Sequence, residues 1–163
     1  MDNPPSIRLS TPDDYAKLKE IIDLSFPRFF RYFANHSITS EDGKVLVSET
    51  QGIISGFAKL IEFKIGSQKY GCILWIAVHS SYRRQGIALN LTNEGTETLK
   101  KAGAQAVFAS TQRRNRAAKA TLGKAGFVQR GFLGLWRVFG WRVFSFYREI
   151  WYAPGEIVLM KNF

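Results

Sequence analysis

The chain is poor in the residues that build disulfides and metal centres: one cysteine and two histidines in 163 positions. A lone Cys72 excludes an internal disulfide framework and a multi-thiolate site, and His36 and His79 stand too far apart in sequence to suggest a zinc constellation. Long hydrophobic runs are also missing. Lys, Arg or Glu interrupts each one before the roughly 18 residues that a membrane span requires. The opening stretch, MDNPPSIRLS, has no apolar centre and does not read as a secretory leader. A cytoplasmic, metal-independent protein is the expectation. Acidic residues are absent from one long block: Thr98 to Arg148 holds eleven Lys and Arg and no Asp or Glu.

What is present is a globular composition. Hydrophobic residues make up 45% and aromatics 14%, enough for a buried core, and the length suits a single domain over residues 1–163. The net charge of +10 is unevenly spread. Its basic block calls for an anionic partner, either a phosphate-rich cofactor, nucleic acid or a membrane surface, unless it is only a solvated face.

Hydrophobic periodicity divides the chain in two. Ile7 to Leu9 reads as a short strand, followed by a helix start at Thr11 and Pro12, with Asp13 and Asp14 in the first turn. Tyr15, Leu18, Ile21, Ile22 and Ser25 form a helical stripe that stops before Pro27, and Phe29, Phe30, Tyr32 and Phe33 suggest a second short apolar helix. Lys44–Thr50 and Ile53–Ile65 read as strands joined by a Gln51-Gly52 hairpin turn. A third strand, Tyr70–Val78, follows the Gly66-Ser67-Gln68 turn. After Val78 the period lengthens: Ile87, Leu91, Gly95, Leu99 and Ala102 recur at helical spacing, with Gly103 as the cap. Ala104–Ser110 is a short buried strand, and Asn115 opens a helix, Arg116–Ala125, that ends at Gly126. Tyr70 to Ser110 is thus a strand–helix–strand crossover with parallel strands.

The segment WIAVHSSYRRQGIALNL carries the chemistry. A buried strand enters a polar loop, and the loop opens a helix near Gly86. The free N–H groups of the first helical turn form an anion site that Gly86 and the small Ala88 leave open to phosphate oxygens, with Arg83 and Arg84 at the rim. The spacing fits neither the dinucleotide fingerprint nor the nucleoside-triphosphate loop. It fits [Q/R]-x-x-G-x-[G/A], as Arg83-Arg84-Gln85-Gly86-Ile87-Ala88.

In this order of elements the chain resembles the GNAT superfamily of acyl-CoA-dependent N-acetyltransferases. The strand ending Ile76-Ala77-Val78, the loop, the helix and the next strand are followed by Asn115-x-x-Ala118 and by Lys124-Ala125-Gly126-Phe127, where the family carries its asparagine and glycine-phenylalanine. The resemblance implies an α/β (α+β) fold with a mixed, mostly antiparallel central sheet, helices on both faces and a strand–helix–strand acetyl-CoA-binding core. It implies that the backbone of Arg83, Arg84, Gln85, Gly86, Ile87 and Ala88 holds the pyrophosphate of acetyl-CoA. Ile76, Ala77 and Val78 would pair with the pantetheine amides, and Asn115 would contact the pantetheine arm besides capping its helix. The other partner implied is an amine acceptor, small molecule or protein.

Two departures bear on catalysis. Leu122 stands where many family members have a tyrosine acid, and Leu74, Trp75 and Ile76 fill the stretch where many have a glutamate base. His79, just past the strand, belongs to a residue type that titrates near neutrality, although a loop histidine is more often simply solvated. The catalytic groups are therefore unassigned. The competing reading is a basic nucleic-acid or membrane-surface module that keeps the fold without catalysis. No nucleic-acid-binding motif is visible, so none is expected to bind. The most unusual stretch, Phe132–Tyr152, repeats WRVF and interleaves aromatics with arginines. Neither the strand nor the helix period fits it well; strict strand alternation would put Trp136 and Trp141 on opposite faces, unless Gly140 is a bulge or tight turn that restores the register. Its aromatics are read as core beneath a last strand, Glu156–Met160, or as an exposed wall at an acceptor site, homodimer contact or membrane.

Overall fold

The computed structural model describes residues 5–163, so the leader reading of Met1–Pro4 lies outside the described residues. In chain order the elements are β1 (Ser6–Leu9), α1 (Tyr15–Ser25), α2 (Arg28–Thr39), β2 (Lys44–Thr50), β3 (Ile53–Ile65), β4 (Gln68–Val78) and α3 (Ile87–Lys101). They continue with β5 (Ala106–Gln112), α4 (Arg116–Lys124), β6 (Val128–Arg130), α5 (Phe132–Phe139), α6 (Val143–Glu149) and β7 (Glu156–Asn162). The strands form a mixed sheet in the order β1-β2-β3-β4-β5-β7-β6. Pairs β1–β2, β2–β3, β5–β7 and β6–β7 are antiparallel, and β4–β5 is parallel with Gly71 opposite Val107. A crossover helix is what a parallel pair needs, and α3 supplies it.

The chain divides into two compact units, Met1–Leu60 with Trp75–Gly95, and Ile61–Leu74 with Thr96–Phe163. In the first, Leu18, Ile21 and Ile22 of α1 and Ala34 and Ile38 of α2 pack with Val45, Val47, Ile54, Phe57 and Ala77. Gln51 and Gly52 both take left-handed φ values, 52° and 77°, as the two-residue hairpin between β2 and β3 requires. Arg8 on β1 holds Asp14, at the entry to α1, through a 2.8 Å ion pair, and this guanidinium keeps the Asp14 carboxyl down at about 2. The aromatics that suggested α2 do not form its buried face. Ala34, Ser37 and Ile38 do, while Phe29, Tyr32 and Phe33 are exposed. Period 3.6 turns three of those four rings away once Ala34 and Ile38 face α1.

In the second unit, Phe63, Ile65, Tyr70, Cys72, Phe108, Val158 and Met160 meet Leu135, Phe139, Val143, Phe146 and Ile150. Cys72 is buried, and burial pushes its thiol well above the ordinary range. Phe132–Tyr152 is not a strand: it folds as α5, a single 3-10 turn over Gly140–Arg142, and α6. Gly140 supplies the corner, with φ 55° and ψ −137°, a conformation open to glycine. The two WRVF copies lie in different helical environments, so Phe139 is buried and Phe144 exposed. Of these aromatics, Phe139 and Phe146 belong to the core, while Phe132, Trp141, Phe144, Trp151 and Tyr152 are exposed. β5 begins at Ala106 rather than Ala104, because the Ala104 N–H closes α3 by donating to the Leu99 carbonyl at 3.1 Å.

Candidate functional site

β4 ends at Val78, and Ala77 is buried in the core of the first unit. Gly56 on β3 lies under this strand end: a side chain there would run into the Ala77 carbonyl, the Val78 methyl and Ile87, the first residue of α3. The absent side chain therefore brings the end of β4 and the start of α3 together.

His79 follows at once, and it is not the solvated loop histidine expected. Its N–H donates to the Ser55 carbonyl at 2.8 Å, and its Nδ1 accepts from the Ser81 N–H at 3.2 Å. Its Nε2 lies 3.4 Å from Glu20 Oε1 on α1, and the side chain is 15% exposed. With Nδ1 accepting, the ring proton of the neutral form sits on Nε2, facing that carboxylate. Both ring nitrogens are thus engaged, and His79 anchors the loop to α1 and β3. Glu20 also meets Lys17, which is the main reason that its carboxyl titrates below the ordinary value. Sequence reasoning missed Glu20 and Gly56; Glu20 lies far from His79 along the chain, and Gly56 is an unremarked glycine inside a strand.

The loop then turns through two left-handed residues, Arg84 at φ 61° and Gly86 at φ 78°. For arginine this conformation is strained, whereas glycine adopts it freely. A Cβ at Gly86 would meet nothing within 4 Å, so the space before the first turn of α3 is open. The Arg83 Nε donates back to the Val78 carbonyl at 3.3 Å, while Arg83, Arg84 and Gln85 are exposed. Ile87 is buried and Ala88 is half-buried, which anchors the helix start. The backbone amides of the first turn precede the i→i−4 ladder, whose first bond runs from the Asn90 N–H to the Gly86 carbonyl at 3.0 Å. This arrangement can hold an anion against main-chain donors.

The two stretches where the resemblance implies an acid and a base hold Leu122 and Leu74 to Ile76. Leu122 is buried on α4. Leu74, Trp75 and Ile76 are half-buried, and the Trp75 Nε1 finds no hydrogen-bond partner among the described residues. In the second unit, the Asn115 Oδ1 caps α4 by accepting from the Ala118 N–H at 3.0 Å. Among the described residues there is no cluster of three or more His, Cys, Asp or Glu able to hold a metal ion.

The sequence matches the acetyltransferase (GNAT) family over residues 12–127. Solved structures share the fold at low identity. A protein described as a GNAT-family acetyltransferase from Desulfovibrio desulfuricans aligns with a TM-score of 0.75 and 15% identity, covering 97% of this chain and 98% of that one. A Bacillus subtilis acetyltransferase in complex with CoA gives 0.69 and 17%, covering 98% and 99%. The ribosomal-protein-S18-alanine N-acetyltransferase of Escherichia coli gives 0.67 and 19%, covering 97% and 93%. No curated protein matches. The family match takes in α1 through α4, including the glycine loop and the strand–helix–strand crossover, and the chain belongs to the acetyltransferase (GNAT) family.

Proposed function

We propose that the protein is an N-acetyltransferase, working as a single domain, that moves the acetyl group of acetyl-CoA to a primary amine. The amine nitrogen attacks the thioester carbonyl carbon in a ternary complex. A C–N bond forms, the C–S bond breaks, CoA leaves as a thiolate that takes up a proton, and the amine gives its proton to water. The observation that carries this reading is the loop from Arg83 to Ala88, where a left-handed glycine leaves open space beside unladdered helix amides. A pyrophosphate suits such a place. The backbone of Ile76–Val78 would serve the pantetheine amides, and the likeness to a CoA-bound structure supports the same cosubstrate. Asn115 rests on the family resemblance, with its cap as the role seen in the fold.

No side chain is assigned as acid or base; the rate would come from alignment of the two reactants and polarisation of the carbonyl by a backbone N–H. His79 acts as a positioning residue, since its only neutral lone pair already accepts a hydrogen bond. The test is titration calorimetry with acetyl-CoA, paired with a free-thiol assay over small amines, lysine peptides and peptide N-termini. Gly86→Leu crowds the loop and should abolish acetyl-CoA binding while the melting transition stays cooperative. Unchanged affinity in a folded Gly86→Leu protein would overturn the assignment.

A further inference from the structure

We infer that the outer face of α5 and α6 docks on an anionic lipid bilayer. Four rings lie in one continuous cluster: Phe132 lies 5.8 Å from Trp136 and 6.4 Å from Phe144, and Trp136, half-buried against the core, lies 4.7 Å from the exposed Trp141. Trp141 is 79% exposed and Phe144 59%, and Leu133 on α5 is 74% exposed. Single exposed apolar residues are ordinary on a protein surface, but a contiguous aromatic patch marks an interaction site.

Trp151 adds an independent sign. It closes α6 in the left-handed conformation, φ 54°, at a position where helices usually place glycine; the next N–H, that of Tyr152, returns to the Tyr147 carbonyl at 3.1 Å. Its side chain is 45% exposed, so this strained position also presents an aromatic ring to the surroundings.

Charge selects the occupant. The unit made of Ile61–Leu74 and Thr96–Phe163 holds fourteen Lys and Arg against four Glu, while the other unit is balanced. Arg137, Arg142 and Arg148 are interleaved with the aromatics, and the one carboxylate among them, Glu149, already pairs with Arg148 at 3.3 Å. Arg137 also lines an open groove of about 400 Å³ with Arg130, Gln105 and Asn162, which suits a lipid phosphate. Tryptophan rings settle at the headgroup level of a bilayer, and each arginine near an anionic leaflet adds attraction. A second copy would bring the same positive face and be repelled. Nucleic acid would satisfy the arginines but leave Leu133, 74% exposed, uncovered. No helix among the described residues is long and apolar enough to cross a membrane, so the contact is peripheral.

The test uses the full chain with vesicles of phosphatidylcholine and phosphatidylglycerol, against vesicles of phosphatidylcholine alone. Co-sedimentation should favour the anionic vesicles and weaken with added salt, with a blue shift of tryptophan emission. Trp141→Ser with Phe144→Ser should weaken partitioning about tenfold or more at an unchanged melting temperature, because both side chains are exposed. Arg137→Glu with Arg148→Glu should abolish the anionic preference and leave the fold intact. Trp151→Gly should keep or raise the melting temperature and still weaken vesicle binding, which a purely structural tryptophan would not do. Equal partitioning to both vesicle types, no partitioning, or concentration-dependent dimerisation that the Trp141→Ser and Phe144→Ser pair removes would each overturn the inference.

Discussion

Gly56 on β3 and Ala77 on β4 stand so close that a methyl group on Gly56 would lie 2.8 Å from the Ala77 carbonyl oxygen. Real Cβ atoms do not come that near, so any side chain there must push the end of β4 away from its place. The same methyl would lie 3.3 Å from Ile87 Cγ2 at the start of α3. Gly56→Ala should therefore cost about 1–3 kcal/mol of stability, the usual range for overpacking, and weaken acetyl-CoA binding besides. Denaturant unfolding and calorimetry on the same preparation check both. A variant as stable as the parent, with unchanged affinity, would show that the strand end yields freely.

Arg84 occupies a left-handed conformation at the outer turn of the loop. Arg84→Gly should relieve that strain and stabilise the protein by about 0.5–1 kcal/mol. It also removes an exposed charge, whose attraction for a phosphate is screened by salt. The expected result is a higher melting temperature with a modest loss of acetyl-CoA affinity that shrinks as salt is added. A lower melting temperature would indicate that the guanidinium makes contacts more valuable than the strain.

His79 should matter to the fold more than to the proton. Removing its ring loses the hydrogen bond from the Ser81 N–H, worth about 1 kcal/mol, and the contact with Glu20. His79→Ala should lower the melting temperature slightly and reduce kcat by less than about tenfold. A fall of about a hundredfold or more, the size of a lost general base, with unchanged KM for acetyl-CoA, would make His79 a catalytic residue.

Lys59 is 1% exposed on β3, and its Nζ has a long 3.4 Å contact with Ser40 Oγ. Burial lowers its pKa below the ordinary 10.5, an effect that Asp42 partly offsets. Because the folded-state value is depressed, the unfolded chain binds the extra proton between the two values. Stability should accordingly rise with pH through that window and be lowest below it, where both states are charged. Lys59→Met should stabilise the protein by about 1–4 kcal/mol near neutral pH. That advantage should shrink as the pH passes through the folded-state value toward 10.5. Thermal unfolding from neutral to alkaline pH reads this directly, and an advantage that does not change with pH would mean that Lys59 stays protonated in the fold.

The hairpin at Gln51-Gly52, the crossover through α3 and the Asn115 cap were legible because each depends on neighbours in the chain: a turn dipeptide, a glycine loop, a capping side chain. Phe132–Tyr152 was not legible, since its two helices are short and apolar on several sides, and Gly140 mimics a strand bulge. β6 escaped notice because three exposed residues, Val128 to Arg130, carry no periodic signal. In the site, Arg83–Ala88 could be read from spacing, whereas the Gly56–Ala77 approach and the His79–Glu20 contact arise only when separate strands and helices meet.

Cys72 has a practical consequence for enzymology. As the only thiol in the chain, fully enclosed and held protonated by burial, it reacts with disulfide reagents only when the fold opens. Under the proposed function, a thiol-release assay would therefore count liberated CoA without a background from the folded protein. Under denaturing stress, the same residue becomes a one-site clock for opening of the core around Phe108 and Phe146, readable by mass spectrometry after pulse alkylation.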